Sequence, residues 1–361
     1  MTVAIVNRDY SLIGREAKLA VEKGLSAAEW YACAIPRKEL KDMMKRRDGP
    51  ALRDTFLWFA TLIVSGGLGY TFWGTWWAVP CFFVYGVVYG SSSDSRWHEC
   101  GHGTAFKTRW MNDVVYHIAC FMILREPTIW RWSHTRHHTD TIIVGRDPEI
   151  AAPRPPDIAG ILLNLFALKS GFKALSRVLL HTTGRLAEDE KTFVPEMERW
   201  KVYLVARIWT AIFLAVIVAC LAFRTILPAM YIGLPSFYGA FMVIVFGLTQ
   251  HAGLAEDVLD HRLNSRTVYM NPIFRFLYWN MNYHVEHHMF PMVPYHALPR
   301  LHAAIKADCP PPYRSTLEAY REIIPALLRQ RKDPSYFVKR ELPAGAKRVP
   351  YNHDTAIVAA Q

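Results

Sequence analysis

The sequence predicts an all-α integral membrane protein: four transmembrane helices in two hairpins, with a cytoplasmic helical cap holding a histidine-rich site. Three observations carry that expectation. The 361-residue chain is 52% hydrophobic and 13% aromatic, too apolar for an average soluble domain. Its long charge-poor runs fall in two pairs, each joined by a short turn. The pentapeptide His134-Thr135-Arg136-His137-His138 recurs as His284-Val285-Glu286-His287-His288, an arrangement expected only roughly 0.03 times by chance at this histidine content.

In chain order, residues 1–50 read as cytoplasmic or interfacial helices. No short apolar run follows a basic start, so no signal peptide is expected. Helical periodicity runs from Leu12 to Lys23 and from Ala27 to Arg47, with Pro36 interrupting the second stretch. The cations Lys41, Lys45, Arg46 and Arg47 suit a solvated or headgroup-facing surface.

Residues 51–310 read as the membrane-embedded domain. Spans are expected at about 55–73 and 76–97, the second overrunning the bilayer to carry His98 and His102. Val114 to Leu124 is too short to span and reads as re-entrant or interfacial. Between Ile158 and Leu180, Lys169, Lys173 and Arg177 recur at helical spacing against apolar residues, fitting a helix on the membrane surface or a packed amphipathic helix. Further spans fit about 202–223 and 226–249, the last bent at Pro228 and Pro235. The join between these two carries one cation, Arg224, whereas the segments assigned to the cytoplasm hold nearly all the other Lys and Arg, as the positive-inside rule requires. Pro291 to His302 reads as a turn and short helix covering the histidines. Residues 311–361 read as a cytoplasmic amphipathic helix, Thr316 to Gln330, and an extended tail.

This topology puts all the histidine boxes on one side of the membrane. The offsets i, i+3 and i+4 place three imidazoles on one helical face, about 5–6 Å apart between Cβ atoms, near enough to converge on metal. His98 and His102 add an i, i+4 pair, and His251 stands at the cytoplasmic end of the fourth span. His117, His181, His261, His296, His302 and His353 read as ordinary core or surface histidines. The six cysteines form no C-x-x-C pair and read as reduced thiols. Cys100, two residues after His98, points off the metal face and reads as packing.

Over roughly residues 50–310, the boxes His98-x3-His102, His134-x2-His137-His138 and His284-x2-His287-His288 resemble those of the integral-membrane fatty acid desaturase and hydroxylase superfamily. The resemblance implies a four-span fold, a non-haem di-iron centre with histidine ligands, and dioxygen as co-substrate. It also implies a ligand between the fourth span and the third box, which His251 matches. The implied ligands are therefore His98, His102, His134, His137, His138, His251, His284, His287 and His288. Imidazole suits iron, zinc and copper alike, but nine donors shared between two ions leave four or five each, which favours iron over four-coordinate zinc. Glu99, Asp140, Asp147, Glu149, Asp257 and Glu286 are candidates to orient the rings or offset their charge, beside plain surface or capping roles.

The chemistry so implied is reductive dioxygen activation and C–H abstraction, with desaturation, hydroxylation and demethylation left open by the boxes. Electrons must come from a separate carrier, because the chain has no nucleotide fingerprint, iron–sulfur cysteine set or His-Pro-Gly-Gly haem motif. A net charge of +11 suits anionic lipid or an acidic ferredoxin, and nothing resembles a nucleic-acid motif. More narrowly, Ser91 to Thr104, Thr139 to Glu149 and Asn280 to His284 are similar to the bacterial rhizopine-catabolism oxygenase (MocD) group. That likeness implies a Rieske-type ferredoxin with its reductase and oxidative O-demethylation of a methylated inosamine. An acyl-lipid desaturase or hydroxylase is the alternative within the class, and a membrane zinc hydrolase or receptor the alternative outside it. The bacterial inner membrane, with both termini cytoplasmic, is the expected location.

Overall fold

The apolar runs fold as helices in the structure, a computed structural model that describes residues 8–26 and 28–346. Ala27, His353 and the end of the tail lie outside the described residues. Among those described there is no strand ladder, only the isolated bridges Thr267 with Tyr283 and Val268 with Tyr313. The protein is all-α.

The first periodic stretch forms α1, Arg15–Glu22. The second is helical only in α2, Arg37–Met43, because Pro36 lacks an N–H and fixes its own φ, so it opens the helix from the N-cap. Residues 28–35 instead run as an irregular strap, pinned where Tyr31 N donates to Leu259 O at 3.0 Å.

α3, Asp48–Thr71, is about 36 Å long at 1.5 Å per residue. Its Phe56 and Ile63 face outward at 71% and 73% exposure, while Trp58 is buried, the polarity expected of a helix with lipid on one side. The turn that follows displays Trp73, Trp76 and Trp77, the residue type that settles at membrane interfaces. The return helix is not one regular rod. α4, Ala78–Gly86, passes through a π turn at Val87–Ser91 into α5, Ser92–Gly101. The π turn inserts an extra residue per turn and so sets the direction in which His98 and His102 leave α5. Arg96 steadies α5 from inside, with its guanidinium 4.9 Å from the Trp279 ring and 5.5 Å from Trp58.

The stretch expected to be re-entrant or interfacial forms α6, Arg109–Met122, packed on α5. α7, Pro127–Thr139, opens on Pro127, and Glu126 caps it by accepting from Ile129 N at 2.7 Å. α8, Ile158–Leu163, and α9, Leu168–Thr182, belong to a pair of helical segments bent by 72°; Ala167 at the bend has φ of 50°.

α10, Arg199–Ala222, lies within Glu196–Ala222, the one helix among the described residues long and apolar enough to cross a membrane unaided. The fourth apolar run is broken into α11, Leu227–Tyr231, α12, Pro235–Tyr238, and α13, Phe241–His251. The expected bend at Pro228 and Pro235 is thus a double break. Contact with the second apolar segment tightens it: a Cβ on Gly239 would lie 1.8 Å from Gly86 O. Backbone cannot yield there as a flexible side chain would, so Gly239→Ala is expected to destabilise the fold by about 1–3 kcal/mol. A lower unfolding temperature in detergent checks it, and an unchanged one would refute the tight crossing.

The chain then forms α14, His261–Asn264, α15, Pro272–Tyr278, α16, His284–Met289, α17, Leu298–Ile305, and α18, Thr316–Lys332. Ser315 caps α18 by accepting from Glu318 N at 3.1 Å. The described part of the tail is tied down, with Val338 N donating to Gly253 O at 2.8 Å.

Candidate metal centre

Four helices aim their imidazoles at one region: α5 brings His98 and His102, α7 brings His134, His137 and His138, the end of α13 brings His251, and α16 brings His284, His287 and His288. The rings sort into two groups, His98, His102, His134, His138 and His287 in one and His137, His251, His284 and His288 in the other. Within each, the candidate donor atoms lie within 4.8 Å of one another. The three boxes and His251 therefore meet, with α7 and α16 each serving both groups.

In the first group, Nε2 of His287 is 2.6 Å from that of His98 and 3.2 Å from that of His138, while Nε2 of His134 is 3.1 Å from that of His102 and 3.2 Å from that of His138. In the second, Nε2 of His284 is 3.0 Å from that of His251 and 2.9 Å from that of His288. A neutral imidazole has one N–H, so one Nε2 such as that of His287, close to both His98 and His138, cannot donate to both neighbours, while the buried Nδ1 atoms of His138, His284 and His287 have no hydrogen-bond partner. Donors around one ion with metal–nitrogen bonds of about 2.0–2.1 Å stand roughly 2.9–3.4 Å apart at 90–109°. Five of the six separations fall in that range, the His98 to His287 contact being shorter, and the residues fit two ions.

The outer nitrogens fix the rings. His137 Nδ1 donates to Asp147 Oδ2 at 2.8 Å, His134 Nδ1 to Glu149 Oε2 at 3.1 Å, and His251 Nδ1 to Asn264 O at 2.8 Å. His288 Nδ1 lies 3.3 Å from Thr141 Oγ1. These four partners favour the proton on Nδ1, which turns the Nε2 lone pairs of His134, His137, His251 and His288 towards their groups. The loop after α7 makes this possible: Asp147 also accepts from Ile142 N at 2.7 Å and Glu149 N at 2.8 Å, folding 140–149 back beneath the second box.

The other proposed carboxylates serve different partners. Glu99 accepts from Thr104 Oγ1 at 2.7 Å and Tyr295 N at 3.1 Å. Asp140 pairs with Arg146 and Arg136, and Asp257 with Arg8 and Val144 N. Glu286 accepts from Thr267 Oγ1 at 2.6 Å and from His302 Nδ1 at 2.5 Å. These join helices and loops, leaving Asp147 and Glu149 as the two facing grouped imidazoles. Cys100 is buried in the apolar core. His181 pairs with Glu190. His261, read from the sequence as ordinary, lies against the second group, its ring centroid 5.1 Å from that of His288.

Burial holds the rings neutral, the form that binds metal. It pushes His102, just beyond the end of α5, down to about 4. Unfolded histidine titrates near about 6.5, so between those values the unfolded chain binds more protons than the folded one. The ion-free protein is therefore expected to lose stability as pH falls from about 6.5 towards 4, by up to about 1.4 kcal/mol per pH unit for each such imidazole. His137 opposes this: burial pushes it down, but the charge and hydrogen bond of Asp147 outweigh burial and raise it, so its contribution is lost as pH rises. Unfolding temperatures of chelator-treated protein at about pH 7.5 and 5.5 test the balance, and a higher midpoint at the acidic value would refute it.

A small open cleft reaches the second group, lined by His137, Glu149, Gln250 and His251 together with the apolar Ile142 and Leu254.

Comparison with known proteins agrees with this geometry. The family model described as Fatty acid desaturase matches residues 74–319, more than half of the chain. The chain is similar to the sn-1 oleoyl-lipid 12-desaturase of Anabaena variabilis, 23% identical over 278 residues, covering 75% of this chain and 69% of that protein. It is 25% identical over 253 residues to a probable fatty acid desaturase, DES1, of Sorghum bicolor, covering 63% and 61%. With the Delta(12) fatty acid desaturase FAD2 of Calendula officinalis it shares 30% identity over 119 residues, 33% of this chain and 26% of that one.

Proposed function

The chain belongs to the fatty acid desaturase family, and on that premise we propose that it is a membrane-bound, dioxygen-dependent, non-haem di-iron oxidoreductase acting on acyl lipid, most simply as a desaturase. The observation that carries the reading is the sorting of nine imidazoles into a group of five and a group of four. His98, His102, His134, His138 and His287 would hold one iron, and His137, His251, His284 and His288 the other. When bound, the irons supply reductive activation of dioxygen and attack on an unactivated C–H bond. The chain's own part is to hold nine Nε2 lone pairs inward, with Asp147 and Glu149 orienting His137 and His134. Burial pushes the Glu149 carboxyl up to about 7, so it can carry a proton beside the cleft.

The proposed spans are α3, α4 with α5, α10, and α11 to α13, with termini and histidines on the cytoplasmic side of a bacterial inner membrane. The cationic balance of the intervening segments supports that orientation. Electrons would come from a separate ferredoxin and its reductase, a Rieske-type ferredoxin being the specific candidate.

Oxidative O-demethylation of an inosamine, the first expectation from the sequence, finds no support in the relatives reported above, which are named as fatty acid or acyl-lipid desaturases. Acyl-lipid desaturation takes its place. Oxidation of a small polar substrate remains as a second reading because of one observation, the polar groups Glu149, Gln250 and Glu256 that share the cleft with apolar residues beside His137 and His251. A single zinc would leave most of the donors idle.

Protein purified without added zinc and reconstituted with ferredoxin, reductase and oxygen decides among these. Two irons per chain, one for each histidine group, and a new acyl double bond are expected. Formaldehyde without unsaturation would move the assignment to the polar substrate, and zinc alone would overturn it.

A further inference from the structure

We propose that Trp30 and His261 are the route by which electrons reach the second histidine group, and that the surface around Trp30 docks an acidic one-electron carrier protein of the ferredoxin class. The inference rests on the di-iron reading above and names the partner's place on the molecule. Trp30 sits in the 28–35 strap, half-buried at the surface, and its Nε1 donates to the carbonyl of Thr139, itself exposed at the end of α7. Its ring stacks on His261 with centroids 4.3 Å apart and planes 4° from parallel. His261 is buried, and its far side meets His288 at 5.1 Å. Two ring contacts thus join a surface indole to one of the nine grouped imidazoles.

Electron tunnelling weakens steeply with each gap between packed atoms, so a continuous stack is the favoured path. The strap is held to keep that stack in place. Tyr31 lies under the Arg262 guanidinium at 3.6 Å, and its hydroxyl is bonded to Asp308. Nothing in this requires His261 to bind metal, and it lies outside both groups.

A second chain of rings, Trp130 to Trp97 to His134, reaches the first group with centroid separations of 5.5 and 5.1 Å. Its outer ring, however, is covered by an apolar cluster with Leu186, Val194 and Val202 and by the Arg125 guanidinium at 4.1 Å. Beside Trp30 the charges are mixed: exposed Glu29 precedes it in the strap, and near Thr139 Arg136 and Arg146 reach Asp140 at 3.8 and 3.0 Å. The steering charge is that of the whole chain, +11, which favours a negatively charged carrier.

In the step itself one electron leaves the reduced carrier and one ferric ion becomes ferrous. No bond forms or breaks, and Trp30 and His261 keep their own oxidation states.

The test follows anaerobic oxidation of a reduced plant-type ferredoxin by the iron-loaded full chain in nanodiscs. Trp30→Ala is expected to slow it by about tenfold or more, since it removes both an aromatic anchor and the conduit. Trp30→Phe, which keeps a stackable ring, should restore most of the rate, and Arg146→Glu should raise the ferredoxin concentration needed for half-maximal rate. Iron content and reduction by dithionite, which needs no docking site, should be the same in all of them. An unchanged rate in Trp30→Ala, no rescue by phenylalanine, a parallel loss of dithionite reduction, or the same loss in Trp130→Ala would each overturn the route. A wild-type preparation without reducible iron would overturn the di-iron reading along with it, whereas intact dithionite reduction beside an unaffected Trp30→Ala overturns the route alone.

Discussion

His287→Ala is expected to lower product formation by more than about 100-fold and to empty the five-histidine group, leaving one iron per chain in place of the two proposed above. His287 is fully buried, and its Nε2 lies 2.6 Å from that of His98 and 3.2 Å from that of His138. It is the contribution of α16 to a group otherwise built by α5 and α7. Removing it takes away a donor and also the link that draws the third box against the first two. His287→Gln, which keeps most of the side-chain volume, separates the two effects: it should hold the fold better than alanine while still losing iron. Metal analysis and acyl-chain unsaturation measured on one preparation check both. Retention of two irons and full turnover in either variant would sink the proposed ligand set.

The boxes were legible because helix geometry acts on neighbours in sequence. Offsets of three and four put His134, His137 and His138 on one face of α7 whatever the rest of the chain does. The same geometry could have gone further. Glu99 follows His98 by one residue and Glu286 follows His284 by two, positions that a helix turns away from the face of the first ring, as it does Cys100. Their partners, Thr104 and Tyr295 for one and Thr267 and His302 for the other, lie on that turned-away side.

What local pattern cannot carry is the placement of segments distant in the chain. Trp30 reaches His261 across 231 positions, and neither residue stands in a motif. The π turn before α5 and the double break of the fourth apolar run depend on how closely that run crosses the second, at Gly86 and Gly239. A hydropathy pattern reports that a segment is apolar, not whether it remains one helix. Hence four apolar runs are readable, of which the first and third form single helices and the second and fourth are broken, and α10 alone lies in a helix long and apolar enough to span unaided.

Asp147→Asn is expected to cost about 10- to 100-fold in metal affinity or activity, concentrated at the four-histidine group. The carboxylate is buried and accepts on both oxygens: Oδ2 from His137 Nδ1 and Ile142 N, and Oδ1 from Glu149 N. An asparagine cannot reproduce that pattern. With its oxygen towards His137, its amide hydrogens face the Glu149 N–H; turned round, they face both His137 and Ile142. Either way the loop that folds beneath α7 loses a partner. The negative charge that raises His137 against burial goes as well, leaving the ring with at most a neutral acceptor to keep Nδ1 protonated and Nε2 free for metal. Glu286→Gln supplies the contrast. It alters a carboxylate equally buried and adjacent to a proposed ligand, but one that faces Thr267 and His302. It should lower the unfolding temperature without lowering iron per chain. Chelator competition on the two variants distinguishes orientation of a ligand from general support of the fold: equal iron retention in both would show that Asp147 serves the loop alone.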